Sequence, residues 1–235
     1  MKSFRYEPDA ELLAIRAERE QITDQAIREV QPHLRTLASM PFVRMIAFSG
    51  STAHRNMTTT ADVDLFLITE DGKLWATFLA AMVWAKRKGL RKILCMNYMI
   101  SDAALPLFEH DAFTAQQVAS LKPIYGKKTY DRFIAANPFV ARWFPNFDPA
   151  LHREAYQEIP EGNLKARLEA FLRIGIVQVF ERFSRFVLGR HLSKKINPSS
   201  DVQLDRRHLK LHFQSHKKTV LDATFRSAFS RSNPE

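Results

Sequence analysis

The stretch Val43-Arg44-Met45-Ile46-Ala47-Phe48-Ser49-Gly50-Ser51-Thr52-Ala53-His54-Arg55-Asn56 leads, across Met57-Thr58-Thr59-Thr60-Ala61, into Asp62-Val63-Asp64-Leu65-Phe66-Leu67-Ile68. An apolar run rich in strand formers ends in Gly-Ser, ten residues intervene, and a second apolar run opens with two acids one residue apart. The strand period of two puts Asp62 and Asp64 on one face, with Val63 and Leu65 turned into the core. Two carboxylates held that close raise each other's pKa unless a cation lies between them. Mg²⁺, or the similar Mn²⁺, suits the pair because it takes carboxylate oxygens while keeping water and phosphate as its other ligands.

The Gly-Ser turn supplies the second half of a site. Gly50 lets backbone approach a ligand closely. Ser51 offers a hydroxyl and an N–H, and Thr52 to Arg55 is expected to open a short helix whose first turn favours anions. With a triphosphate on the turn and a metal on the acids, an α-phosphorus would stand where an acceptor hydroxyl attacks it.

Gly50-Ser51, ten residues, then Asp62-Val63-Asp64 between apolar runs resembles the signature of the DNA polymerase β-like nucleotidyltransferase superfamily. The motif spans residues 43–69. Leu94 to Tyr98, Phe113 to Ala115, Leu121 to Gly126 and Ala136 to Val140 are similar to microbial proteins carrying that domain. The resemblance implies a small mixed sheet, an NTP substrate, metal on Asp62 and Asp64, and triphosphate on Gly50 and Ser51. Arg55 is a further candidate for countering phosphate charge. Many members continue Gly-Ser-x-Ala-Arg-Gly; His54 and Arg55 replace the last two here. The family's third metal-binding acid lies on a later strand, and the strand expected over Ile93 to Ile100 carries Asn97 there, which brings no charge.

The 235 residues are 46% apolar, enough for a core and against wholesale disorder. A single cysteine, Cys95, excludes an internal disulfide framework; a buried inert thiol is its expected state. The N-terminus lacks the apolar segment of a signal peptide, and the twelve residues Leu74 to Ala85 are too short to cross a bilayer. A cytoplasmic protein without a transmembrane segment is expected. The net charge of +10 suits a polyanionic partner, whether nucleotide, nucleic acid or acidic membrane surface, or a simply solvated basic surface.

The chain divides into an N-terminal helical segment (1–37), a nucleotidyltransferase-like α/β core (38–105) and a mainly helical region with a basic tail (106–235). Asp9 to Met40 reads as a packing helix capped by Asp9, bent or restarted at Pro32. Leu12, Leu13 and Ile15 open its apolar face. Leu74 to Arg87 reads as an amphipathic helix ending in Lys86-Arg87-Lys88-Gly89-Leu90-Arg91-Lys92. Trp75 and Trp84 on it suit packing better than base stacking. Lys122, Tyr125 and Lys127 are within reach of a nucleotide, or have ordinary packing roles. Leu164 to Leu188 reads as one helix with a broad apolar face, either a bundle interior or a partner surface. The tail from Arg190 to Lys218 is the densest basic run, with His191, His208, His212 and His216 interleaved, and Ser227 to Glu235 is expected to fray.

These features combine into an α/β (α+β) fold that moves an NMP from an NTP to a hydroxyl or phosphate acceptor, releasing pyrophosphate. The alternative is a catalytically inactive member of that fold binding nucleic acid or a protein through its basic surface. Acceptor, nucleobase and oligomeric state are left open by the sequence.

Overall fold

The computed structural model describes residues 9–173, 175–194, 196 and 201–212. In chain order the elements are α1 (Ala10–Ala38), β1 (Val43–Phe48), α2 (Gly50–Ala53), β2 (Val63–Thr69), α3 (Leu74–Arg87), β3 (Leu94–Ser101) and α4 (Ala112–Ser120). β4 (Lys122–Tyr125), α5 (Lys127–Ala135), α6 (Val140–Trp143), α7 (Pro149–Arg153), α8 (Lys165–Leu172), α9 (Ile176–Ser193), β5 (Asp201–Leu204) and β6 (His208–His212) follow.

The strands make one mixed sheet in the order β4-β1-β2-β3-β6-β5. β1 runs antiparallel to β2 and β4, β2 and β3 are parallel with α3 as their crossover, and β6 is antiparallel to β3 and β5. The α+β fold follows, and the region after residue 105 is mainly helical. That region also adds three strands. β4 contains Pro123, which an edge strand tolerates because one side of it makes no ladder. Residues 38–105 therefore share their sheet with the later segment.

Alternation along the central strands splits the core in two. Val63, Leu65 and Leu67 of β2 join Val43, Ile46 and Phe48 of β1 beneath α1 and α3. Phe66 and Ile68 face the other way, with Met45, Ala47 and Ile100, under α4 to α6. Asp64 lies on this second face by strand parity, so the acids point into the space between sheet and later helices rather than toward α1.

Asp9 caps α1, its carboxylate accepting from the Glu11 amide at 2.9 Å. The helix continues through Pro32 without interruption. Leu12, Leu13 and Ile15 are exposed; the helix's first buried residue is Thr23. Trp75 is buried and its indole donates to the Asp205 carbonyl at 2.8 Å, while Trp84 packs edge-on to His33. The expected single helix over Leu164 to Leu188 is two. Gly175, with φ of 100°, separates α8 from α9 in a conformation that β-carbons resist.

The expected basic tail is partly internal. Lys210 is buried between Glu109 and Asp201, at 3.0 and 2.7 Å. Arg207 pairs with Asp71, and His208 with Asp205. Strand pairing of β6 against β3 draws His208 and Lys210 inward, while Arg207 stays exposed. Lys195, His216, Lys217, Lys218 and the segment Ser227 to Glu235 lie outside the described residues. No described helix is long and apolar enough to cross a membrane.

Candidate functional site

Strand β1 ends at Phe48 and the chain turns at Ser49 directly into the single turn α2, which begins at Gly50, earlier than the expected Thr52. The turn is fastened to β2 at Asp64. The Ser49 amide donates to the Asp64 carbonyl at 3.0 Å, and the Asp64 amide donates to Thr52 Oγ1 at 3.1 Å. Gly50 has φ of 52°, and a β-carbon there would stand 2.4 Å from Asp64 Oδ2. Only a hydrogen fits between turn and carboxylate.

Helix α1 fixes the other side of the loop. Arg19 donates to Asn56 at 3.0 Å, Thr23 accepts from the Met57 amide at 3.1 Å, and Asp24 pairs with Arg55 at 2.5 Å. Arg55, a candidate phosphate group, is thus turned to α1 and does not line the cavity beside the acids. His54 lines that cavity instead.

Asp62, Asp64 and Cys95 place one oxygen or sulfur each within 4.8 Å of one another. Among the described residues neither acid is in an ion pair with a cation. Burial pushes the Asp64 carboxyl up to about 7, Asp62 adds to the rise, and hydrogen bonds from the Ser51 amide and Asn97 oppose it. Burial and both carboxylates push the Cys95 thiol up strongly.

Cys95, read from sequence as an inert thiol on an apolar strand, stands opposite Asp64 in the parallel ladder. Asn97 follows. Its amide nitrogen lies 3.3 Å from Asp64 Oδ1, and its oxygen accepts from the Cys95 thiol. The register then slips, so that Phe66 pairs with Tyr98. This bulge turns both Asn97 and Tyr98 toward the acid-bearing face, where both line the cavity. Cys95, at the Asp64 rung, thus joins the two acids, and Asn97, the expected third-acid position, stands beside them in hydrogen-bond contact with both Asp64 and Cys95. The sequence alone singles out Asn97; the place of Cys95 opposite Asp64 depends on the strand register, which was not in the sequence.

Beside the acids a cavity of about 380 Å³ opens between the sheet and α4. Its mouth carries Ser49, Gly50, His54, Asp64 and Asn97, and its walls are largely apolar, including Phe66, Tyr98, Phe113, Leu121 and Phe133. Near the mouth stand three basic side chains, Lys122, His54 and His152. Lys122 pairs with Phe48 across β1 and β4, and its ammonium lies 3.0 Å from His152 Nδ1. Desolvation, then Lys122 and Arg16, holds His54 below its ordinary pKa. His152 is lowered by burial and then by Lys122, and burial lowers Lys122 itself. An anion bound here would relieve that strain in all three. Tyr125 and Lys127 are placed elsewhere: the Tyr125 hydroxyl accepts from Lys165 and the Lys127 ammonium pairs with Glu154.

The two carboxylates and the thiol form a donor set that fits a divalent cation, since the half-buried acids have repulsion to relieve and no cation among the described residues pairs with them. Comparisons with models of protein families, with curated proteins and with solved structures returned no match.

Proposed function

We propose that the protein is a metal-dependent nucleotidyltransferase of the DNA polymerase β-like superfamily, moving an NMP from an NTP to a hydroxyl or phosphate acceptor. The observation that carries this reading is the pair Asp62 and Asp64, with ligand atoms within 4.8 Å of each other and Asp64 Oδ2 held against the Gly50-Ser51 turn. Asp62 and Asp64, with Cys95 beside them, would hold Mg²⁺ or Mn²⁺, which supplies neutralisation of phosphate charge and lowers the pKa of a nearby hydroxyl.

The chain's own groups divide the remaining work. The Gly50-Ser51 turn holds Asp64 in place, and Lys122, beside His152, would offset the charge of the departing pyrophosphate. The acceptor oxygen forms a bond to the α-phosphorus as the bond to the α,β-bridging oxygen breaks. The hydroxyl proton passes to a carboxylate of the acid pair. The apolar walls suit an uncharged group, the nucleobase or an apolar part of the acceptor, and exclude water from it.

The test is product analysis with Mg²⁺ or Mn²⁺ and each NTP, water standing as acceptor where none is supplied. Release of pyrophosphate and NMP, lost in Asp62→Asn/Asp64→Asn, supports the reading. Release of inorganic phosphate and NDP would place cleavage at the wrong bond and overturn it.

One observation favours the non-catalytic alternative: the rung where a third carboxylate belongs carries the neutral thiol Cys95, followed by neutral Asn97. In that reading the site binds nucleotide without turnover, or the basic surface binds nucleic acid or a protein.

A further inference from the structure

Helix α9 packs on α3 with the less apolar of its two sides. Its buried residues are Val177, Glu181, Ser184 and Leu192. Glu181 is held there by the start of α3, its carboxylate accepting from the Trp75 and Ala76 amides at 3.2 and 2.7 Å. Ser184 Oγ is buried with no hydrogen-bond partner. Outward stand Ile176, Val179, Phe180, Phe183, Phe186 and Val187, spaced three, one, three, three and one residues apart along one helical face. Ile176, Val179 and Phe186 are 70% or more exposed. Contiguous exposed apolar ridges of this kind mark interaction surfaces.

Along α8 and α9 the exposed charge of the described residues has one sign. α8 and α9 contain two acids, Glu169 and Glu181, and both are buried. Arg182, Arg185 and Arg190 are exposed and form no ion pair with the described residues. Arg182 and Arg185 also border a cleft of about 440 Å³ that Lys73 and Arg206 complete. The cleft's acids are already engaged: Asp71 by Arg207 and Ser101, and Glu181 by the α3 amides. On the helix, this basic edge adjoins the apolar ridge.

We propose that α9 docks the protein on an anionic phospholipid surface. The phenylalanine ridge enters the boundary between headgroups and acyl chains, and lipid phosphates meet Lys73, Arg182, Arg185 and Arg206 at the cleft. An apolar helix face bordered by arginine is the composition of helices that lie in a bilayer interface, and acidic lipid attracts each basic residue near its surface. A second copy of the chain fits less well, because an arginine-bordered face would meet an arginine-bordered face without an acid between them.

Vesicle flotation of the full chain tests this, using phosphatidylglycerol-containing and pure phosphatidylcholine vesicles. At least tenfold stronger partitioning to the anionic vesicles is expected, falling with salt. Phe183→Glu/Phe186→Glu and, separately, Arg182→Glu/Arg185→Glu should each reduce it tenfold or more with unchanged circular dichroism. Three results would overturn the proposal. One is no flotation by the folded natural chain. Another is flotation that survives both double variants, which would move the contact to another basic part of the chain. The third is an absence of flotation with a dimer, seen by sedimentation, that Phe183→Glu/Phe186→Glu converts to monomer.

Discussion

A β-carbon on Gly50 would lie 2.4 Å from the Oδ2 of Asp64, so the turn that ends one strand and the carboxylate on the next are in direct steric register. Gly50→Ala must both adopt a positive φ and displace that carboxylate. A loss of about 1–3 kcal/mol is expected, together with weakened nucleotide binding. Gly89, with φ of 72° and nothing within 4 Å of an added β-carbon, is the control. Gly89→Ala should cost about 1 kcal/mol and leave binding unchanged. Chemical denaturation and calorimetric titration of both variants separate the two effects.

The Asp64 carboxyl has a folded pKa of about 7 against an ordinary 3.8. Between those values the folded chain holds more protons than the unfolded one, so stability falls as pH rises through this window. Above pH 7 the penalty is complete, on the order of a few kcal/mol. Asp64→Asn should therefore melt higher than the natural protein at pH 8, with the gain shrinking to nothing near pH 4. Added Mg²⁺ should raise the melting temperature of the natural chain at pH 8 and leave the variant unmoved.

Cys95→Asp places a carboxylate on the rung opposite Asp64. Without metal, three clustered acids should lower the melting temperature at pH 8. With Mn²⁺ or Mg²⁺, affinity should rise tenfold or more, as should turnover where transfer occurs. Asn97→Asp, one step beyond the Asp64 rung, should gain less. The natural thiol, pushed up by burial and two carboxylates, should react slowly with iodoacetamide at pH 7.5.

Lys165 is buried at 2% exposure, its ammonium donating to the Ala38 and Val43 carbonyls and the Tyr125 hydroxyl. Lys165→Met leaves those acceptors unpaired and should cost about 2–3 kcal/mol. Burial lowers the folded pKa to about 8 from 10.5. Between those values the unfolded chain binds more protons, so this site adds stability as pH rises from 8 to 10.5. The deficit of Lys165→Met should widen over that range in denaturation curves.

The strand-turn-strand unit was legible because each of its signals is local: alternation, a Gly-Ser turn, and acids two residues apart. What escaped the sequence depends on partners distant along the chain. Cys95 joins the acids only through the parallel register and the bulge after it. β4 is four residues with an internal proline, too short to show a period. The β5 and β6 hairpin lies in a run whose charge conceals its pairing. For α9 the apolar stripe was visible, yet its direction was not. Glu181 takes the inward side because the α3 amides require an acceptor, and the phenylalanines are left outside.

The most direct measurement is equilibrium binding of non-hydrolysable ATP, GTP, CTP and UTP analogues, with and without Mg²⁺, to the natural protein and to Asp62→Asn/Asp64→Asn. It requires no acceptor. Binding of at least one analogue that strengthens tenfold or more with Mg²⁺, and loses that dependence in the double variant, is the expected result. Binding that is absent for all four, or indifferent to Mg²⁺ and to both substitutions, would contradict a metal-dependent nucleotide site at Asp62 and Asp64.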